Sequence, residues 1–362
     1  MQGVDIYCSM SCSLPAADFL TASGVILDVR SPAEYEQGHI PGAISFPLFD
    51  NTERAQVGIC YKQEGREPAI ALGLELVGPK LAQFVNRAKQ LSRDRTVRIY
   101  CWRGGMRSSS MAWLMKTAGF QVTLLSQGYK GFRHWVRTVV AVPKPILILG
   151  GMTGTGKTAV LHALANQGEQ ILDLEKLANH RGSSYGALGL PPQPTVEQFE
   201  NLVAAEWATL DCDRTIWIEA ESRMIGTCRV PDELFQQMMS APVLQIERSR
   251  AERIHLLLEI YGVCDREQLI IATERLHKRL GGQHAKRAAD LIRQGDLASA
   301  IELVLDYYDK TYLYDLKRRN VTIDPINVAG LSAQASAMAL IDRSKQMVTK
   351  SPVQRTDEHC LC

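Results

Sequence analysis

Two stretches of the chain alternate short apolar runs with amphipathic runs of helical length. In the first, residues 25–29, 97–100 and 122–125 read as buried strands, and 108–117 reads as a helix that Gly119 ends. In the second, a strand over 146–150 is followed by a helix over 158–167 that stops near Gly168. Further strands are expected at 170–174, 215–219 and 243–247. Beyond Ala251 the pattern turns mostly helical and rich in Leu, Arg and Lys. Strand–helix alternation in both stretches predicts two α/β domains built on parallel sheets. Pro143 and Pro145 resist helix and strand alike, so 138–145 is the expected linker.

Length agrees with two domains, since 362 residues exceed what one ordinary core holds. The composition, 46% hydrophobic and 22% charged, is that of a soluble globular chain. No apolar stretch is long enough to span a membrane, and the N-terminus lacks the pattern of a secretory signal. Nine cysteines without framework spacing argue against a disulfide scaffold and for a reducing, cytoplasmic setting. A net charge of +2 advertises no global field for nucleic acid, so any RNA-binding surface must be local.

The sharpest feature of the first stretch is Tyr100-Cys101-Trp102-Arg103-Gly104-Gly105-Met106-Arg107-Ser108, between a predicted strand and a predicted helix. That junction places Cys101 at the carboxyl edge of a sheet, where α/β proteins bind ligands. The glycines let the backbone curl so that successive N–H groups form an anion nest, and the helix adds its positive end. With Arg103 and Arg107 nearby, these effects favour the thiolate, which is the nucleophile. The same cradle suits a persulfide, a selenide adduct or a phosphate-like oxyanion. The competing reading is a buried structural cysteine beside a glycine turn. Cys60, Cys212, Cys228 and Cys264 read as packing residues. Cys8 and Cys12 fall in a frayed start, and Cys360 and Cys362 in a polar tail expected to be disordered over 346–362.

The second stretch carries G-x-x-x-x-G-K-[ST] as Gly151-Met-Thr-Gly154-Thr-Gly156-Lys157-Thr158, after a strand and opening a helix. Its amides would cradle a diphosphate, Lys157 would reach the outer oxygens, and Thr158 would bind Mg²⁺ if metal is used. Glu219, with Glu221 just beyond it, ends an apolar run as a Walker-B-like carboxylate. Asp173 and Glu175 end another run and compete for the same role. The motif recognises phosphates, so a nucleotide and a prenyl diphosphate are both admissible.

Asp28-Val29-Arg30, then Gly38-His39-Ile40-Pro41-Gly42-Ala43, then the Cys101 loop, resemble the signatures of a rhodanese domain over about 14–137. The resemblance implies that Cys101 holds the chalcogen, with Asp28, Arg30 and His39 shaping the fold. Cys101 to Arg107 also fits the Cys-x5-Arg spacing of the rhodanese-like phosphatases, although Tyr100 stands where those carry histidine. Rhodanese first and P-loop second is an uncommon order. With Gly58-Ile-Cys-Tyr-Lys62, Ala69-Ile-Ala-Leu-Gly73 and Glu221-Ser-Arg-Met-Ile-Gly226, the chain resembles the tRNA 2-selenouridine synthases from about residue 14 to 345.

The fold so implied is a rhodanese-like parallel-sheet domain, then a P-loop NTPase-like α/β domain over 146–345 with a helical, basic C-terminal part. The implied activity replaces the sulfur of wobble 2-thiouridine in tRNA by selenium from selenophosphate, after geranylation of the sulfur by geranyl diphosphate. Selenium would travel on Cys101 as a seleno-persulfide. No tightly bound cofactor is expected, Mg²⁺ aside. Candidate tRNA contacts are Arg248, Arg250 and Arg253; Arg275, Lys278 and Arg279, on one helix face; and Lys317, Arg318 and Arg319, which follow Tyr307, Tyr308, Tyr312 and Tyr314. For most of these residues individually a solvated helix over core tyrosines is the competing reading. A phosphatase or sulfurtransferase fused to a small-molecule kinase, and a non-catalytic nucleotide-sensing module, are the alternatives for the whole chain.

Overall fold

The computed structural model describes residues 12–317 and 321–348. Backbone packing divides the chain into two units, one comprising residues up to Val140 together with Thr195–Ala205, the other Ala141–Pro194 and the chain from Glu206 onward.

The first unit is built on a five-stranded sheet of order β1-β5-β4-β2-β3. Its strands are β1 (Cys12–Leu14), β2 (Val25–Asp28), β3 (Ile44–Ser45), β4 (Thr96–Tyr100) and β5 (Gln121–Leu125), all parallel. The apolar runs of β2 and β4 enter one core with Phe46, Phe84, Met111 and Met115. β1 and β3 are three and two residues long, below the length at which periodicity signals a strand. Helix Gly128–Ala141 runs through the first half of the segment expected as linker, and only 142–145 connect it to the next strand.

Residues 195–205 open helix Val196–Thr209 and are held by the first unit through a polar cluster. The Gln198 side-chain oxygen accepts from the His39 N–H at 2.8 Å, and Thr195 donates to the Gln37 carbonyl at 2.6 Å. Asn201 donates to the His39 carbonyl (3.0 Å) and to the Tyr129 hydroxyl (2.8 Å), which donates in turn to Glu197 at 2.8 Å. Arg133 pairs with Glu200 and donates to Asn201 at 2.6 Å. These partners lie some 65 to 160 positions apart in sequence, so no local pattern marks the segment as belonging to the first unit.

The second unit has a parallel sheet of order β12-β11-β6-β8-β7. It comprises β6 (Ile146–Gly150), β7 (Gln170–Leu172), β8 (Ile216–Glu219), β11 (Val243–Glu247) and β12 (Ile323–Asn327). β9 (Met224–Ile225) and β10 (Cys228–Arg229) form a small antiparallel ribbon. β6 and β8 are buried at every position, which explains their uninterrupted apolar runs. β12 lies at the sheet edge and contains Pro325, a combination that hides a strand from sequence reading. Between β11 and β12 five helices, from Arg250–Tyr261 to Leu297–Lys317, pack around Leu257, Tyr261, Leu269, Ile292, Ile301 and Leu305. Helix Ala333–Val348 takes in residues 346–348 of the expected tail; the rest of that tail, with Cys360 and Cys362, and Cys8 lie outside the described residues. Among the described residues no helix is long and apolar enough to cross a membrane.

Candidate active site: a cysteine loop and a phosphate loop

In the first unit β4 delivers Cys101 to the start of a loop that ends at helix Met106–Thr117. The loop is tied from beneath: the Tyr129 N–H donates to the Cys101 carbonyl at 2.8 Å and the Lys130 N–H to the Trp102 carbonyl at 3.0 Å. Gly128 makes this possible. Its φ is +57°, and a β-carbon there would lie 2.3 Å from the Cys101 carbonyl oxygen, so no other residue fits. The N–H groups of Arg103, Gly104 and Gly105 donate to no described group, and helix Met106–Thr117 has no side-chain cap. Uncommitted amides around a loop entering a helix are what an anion cradle requires.

Cys101 is 3% exposed; its sulfur lies 3.1 Å from the Ser108 hydroxyl and 3.8 Å from the Gly105 carbonyl, with Met111 and Ala112 in the core beside it. Arg103 is exposed. Arg107, expected to lend positive charge to the thiol, is ion-paired. Glu34 takes its Nη1 at 2.7 Å and its Nη2 at 3.3 Å, in a two-pronged ion pair. Arg107 in turn holds the Glu34 carboxyl below its ordinary range, against the opposing effect of burial. The same pair weakens the phosphatase reading, which needs Arg107 on the phosphate. Asp28 and Arg30 form a fully buried pair, with Arg30 also donating to the Gly38 carbonyl at 2.6 Å and stacked 3.8 Å from the Tyr129 ring centre. The Tyr100 hydroxyl donates to Asp28 at 2.7 Å. Tyr100, Tyr129 and Glu34 were not legible as site residues, because each acts through a partner far away in sequence.

In the second unit β6 runs into Gly151–Thr158, and helix Lys157–Asn166 starts without a side-chain cap. Gly154 has φ +83°, and a β-carbon there would meet the Arg253 carbonyl and the Leu257 side chain at 2.9 Å. Lys157 Nζ donates to the Gly151 carbonyl at 3.0 Å, and the Thr158 hydroxyl to Glu175 at 3.2 Å. The Tyr312 hydroxyl accepts from the Gly151 N–H at 2.8 Å. The two acidic elements that sequence set in competition are brought together instead. Carboxylate oxygens of Glu175, Glu219 and Glu221 lie within 4.8 Å of one another. Asp173 does not end a strand: it caps helix Leu174–Ala178 and binds His162 at 2.6 Å, and Glu175 sits inside that helix. Burial first, then the neighbouring carboxylates, push Glu175, Glu219 and Glu221 up to about 8, against the pull of Lys157. Glu219 Oε1, buried, has no hydrogen-bond partner among the described residues. A divalent cation fits this donor set: two buried carboxylates and the half-buried Glu175, beside a threonine hydroxyl and a phosphate loop, gather more negative charge than Lys157 alone offsets.

The expected tRNA contacts divide. Arg248 and Arg253 brace the phosphate loop, donating to the carbonyls of Thr155 (3.1 Å) and Thr153 (2.8 Å). Arg253 is 4% exposed and paired with Asp309, and Arg250 is engaged by Glu302, Asp306 and Asp309. Arg248 and Arg253 are committed inside the protein, and Arg250, part-exposed, is matched by surface carboxylates, so the structure does not favour these three as RNA contacts. Arg275, Lys278 and Arg279 are exposed and form no ion pair among the described residues, but Leu276 breaks their helix in two, so they do not share one continuous face. Exposed Lys286 and Arg287 lie on the helix that packs against them. Lys317 closes helix Leu297–Lys317, and Arg318 and Arg319 lie outside the described residues.

The fold and the two loops define the class: a rhodanese domain joined to a P-loop domain with a helical insertion. Residues 16–134 match the rhodanese-like domain, and residues 144–340 match the tRNA 2-selenouridine synthase AAA domain. The tRNA 2-selenouridine synthase of Pseudomonas syringae pv. syringae (strain B728a) is 34% identical, over 89% of this chain and 95% of its own. That of Bordetella petrii is 37% identical, over 82% and 88%, and that of Marinobacter nauticus 35%, over 81% and 89%. The chain belongs to the tRNA 2-selenouridine synthase family.

Proposed function

We propose that this protein replaces the sulfur of wobble 2-thiouridine in tRNA by selenium in two steps, one for each loop. The observation that carries the reading is the presence, in one chain of this family, of a diphosphate-type loop beside buried carboxylates and a separate thiol-bearing anion cradle.

In the first step geranyl diphosphate lies with its diphosphate on the Gly151–Thr158 loop. The thiouridine sulfur attacks C1 of the geranyl chain, the C1–O bond breaks, and diphosphate leaves with the electron pair while the base N3 proton goes to solvent. Lys157 and the loop amides hold the charge that develops on the leaving oxygens. Thr158, Glu175, Glu219 and Glu221 would hold Mg²⁺, whose charge, when bound, stabilises the same leaving group. Alkylation turns a poorly leaving thiocarbonyl sulfur into a thiolate leaving group.

In the second step the Cys101 cradle binds selenophosphate. Its selenium attacks C2 of the base, geranylthiolate departs and takes a proton, and water removes the phosphoryl group from selenium. The electron count shapes the part played by Cys101. Selenium in selenophosphate is already at the selenide level, so an S–Se bond to Cys101 would need an oxidant, whereas binding the donor's oxyanion needs none. Cys101 then lies at the floor of the cradle as a hydrogen-bonding group.

Incubation of the full chain with thiouridine-containing tRNA, geranyl diphosphate and selenophosphate, followed by nucleoside mass spectrometry, tests the reading. Selenium in the wobble base, preceded by a geranylated thiouridine, is expected. Unchanged thiouridine in the digest would refute it and return weight to the kinase-fusion or sensing alternatives.

A further inference from the structure

The cysteine loop carries an exposed apolar rim that the chemistry above leaves unused. Trp102 follows Cys101 directly and is 39% exposed, and Met106, 52% exposed, ends the loop where the helix begins. Between them in the chain lie Arg103, Gly104 and Gly105, whose N–H groups are uncommitted. The indole is held in place although it is exposed. It packs on the Tyr129 ring at 5.7 Å between centres and lies 5.9 Å from the Arg30 guanidinium, and the Lys130 N–H holds the Trp102 carbonyl at 3.0 Å. Both supports are fixed in turn. Arg30 is buried in its pair with Asp28, and the Tyr129 hydroxyl is tied to Asn201 and Glu197.

The helix that carries Tyr129 adds charge beside this rim. In Gly128–Ala141 the residues Tyr129, Phe132, Val136 and Val140 are buried, whereas Lys130, His134 and Arg137 are exposed. A spacing of four and then three puts these three on one helix face. The row begins at Lys130, which is bonded to Trp102, and extends about 10 Å along the helix at about 1.5 Å per residue. Neither Lys130 nor Arg137, nor Arg103 in the loop, forms an ion pair among the described residues.

We propose that Trp102 is the platform on which the wobble base stacks when it reaches the cysteine loop, and that Lys130 and Arg137 hold the adjoining phosphates. The proposal rests on the reading of the Cys101 loop as the selenation site and names the groups that position RNA there. A base drawn out of the anticodon loses its stacking neighbours, and an aromatic face replaces them. Because Trp102 adjoins Cys101, a base stacked on it lies beside the donor held by the loop amides. Unmatched cations in a row suit a phosphate backbone. The apolar surface is only two side chains wide, far below the about 1,000 Å² that a protein partner would need.

The test is equilibrium binding of the full chain to synthetic tRNA carrying 2-selenouridine at the wobble position and to the same tRNA with that base removed. The wild-type chain should prefer the intact tRNA about tenfold, Trp102→Ala should lose the preference, and Trp102→Phe should keep most of it. Inorganic phosphate, standing in for the donor's oxyanion, should bind Trp102→Ala and wild type alike. Replacing Lys130 and Arg137 together by Ala should weaken both tRNAs equally and reduce the slope of log affinity against log salt by about 1–2, a slope that Trp102→Ala leaves alone. A preference for the intact tRNA that survives in Trp102→Ala, or is absent from wild type, would overturn the platform. Phosphate binding lost with Trp102→Ala would also overturn it, by making Trp102 a support of the cradle. An unchanged slope in the double variant would overturn the phosphate contacts. Selenation by wild type is read separately: a preference that depends on Trp102 in a chain that incorporates no selenium would keep the platform and overturn the selenation reading alone.

Discussion

The cysteine loop and the phosphate loop are the same device put to different ends. Each follows a central parallel strand, turns on glycines, and opens a helix that lacks a side-chain cap, leaving its first amides for an anion. They part in the charge around that device. The cysteine loop has a thiol at its floor, and its one nearby paired arginine, Arg107, is balanced by Glu34. The phosphate loop has Lys157 and three clustered carboxylates, two of them buried, whose excess charge a cation or protons would balance. In the proposed reaction the first surroundings suit a small oxyanion held by amides, and the second a diphosphate held together with a divalent cation. The comparison teaches that electrostatic surroundings, not backbone shape, distinguish two similar loops.

The comparison is broken most directly by crossing the two loops. Lys157→Ala should slow geranyl transfer by about 10²–10³-fold, the usual cost of removing a group that meets charge as it develops. Selenation of a tRNA geranylated beforehand should be unaffected. Cys101→Ala should do the reverse. If both variants block both steps, the loops do not divide the reaction. Cys101→Ser sharpens the point: it keeps a hydrogen-bond donor and should retain part of the selenation, whereas selenium carried on sulfur would leave serine as inactive as alanine.

A second contrast is in pH. The carboxyls of Glu175, Glu219 and Glu221, pushed up to about 8, bind more protons in the folded than in the unfolded chain. Their contribution to stability is therefore fully present below the ordinary carboxylate range and is lost as pH rises through about 8. Without metal, the second unit should melt several degrees lower at about pH 8 than at about pH 5.5, and Mg²⁺ should restore most of the difference at the higher pH while releasing protons. Glu221→Gln should flatten the metal-free profile. A profile unmoved by Mg²⁺ would show that the cluster is not a metal site.

The two loops also differ in how they are braced, and the difference bears on stability. Arg253, paired with Asp309, braces the phosphate loop; the cysteine loop rests on Tyr129, whose hydroxyl links Asn201 and Glu197. Tyr129→Phe should cost about 1–2 kcal/mol by leaving those partners unsatisfied, read as a lower midpoint in urea. An unchanged midpoint would mean that the segment 195–205 is held by its other contacts.

How much of this was legible in sequence follows from the range of the interactions. Both loops are contiguous motifs; β6 and β8 are buried throughout and β4 at Val97, Ile99 and Tyr100, so all three strands are readable from their apolar runs. What escaped was built from distant partners. Glu34 reaches Arg107 across 73 positions and Asn201 reaches Tyr129 across 72. Asp173 and Glu175 seemed to rival Glu219, because periodicity cannot say that a capped helix after β7 folds Glu175 toward β8. The arginines after β11 carried the right charge in sequence, but only the fold shows the carboxylates and carbonyls that consume it.

The smallest expected effect concerns RNA, and it asks whether the half that holds the phosphate loop also grips the substrate. Arg107 of the first unit is ion-paired, as are Arg250 and Arg253 of the second, whereas Arg275, Lys278 and Arg279 are exposed without ion pairs among the described residues. A cation already matched by a carboxylate releases no counterion from RNA, and an unmatched one does. Replacing Arg275 and Arg279 together by Ala should therefore lower tRNA affinity and reduce the slope of log affinity against log salt by about 1–2. Arg250→Ala should leave that slope alone and show instead in the melting temperature. If Arg250→Ala changes the slope and the double variant does not, RNA is gripped by the paired arginines, and the ion pairs seen here must open when it binds.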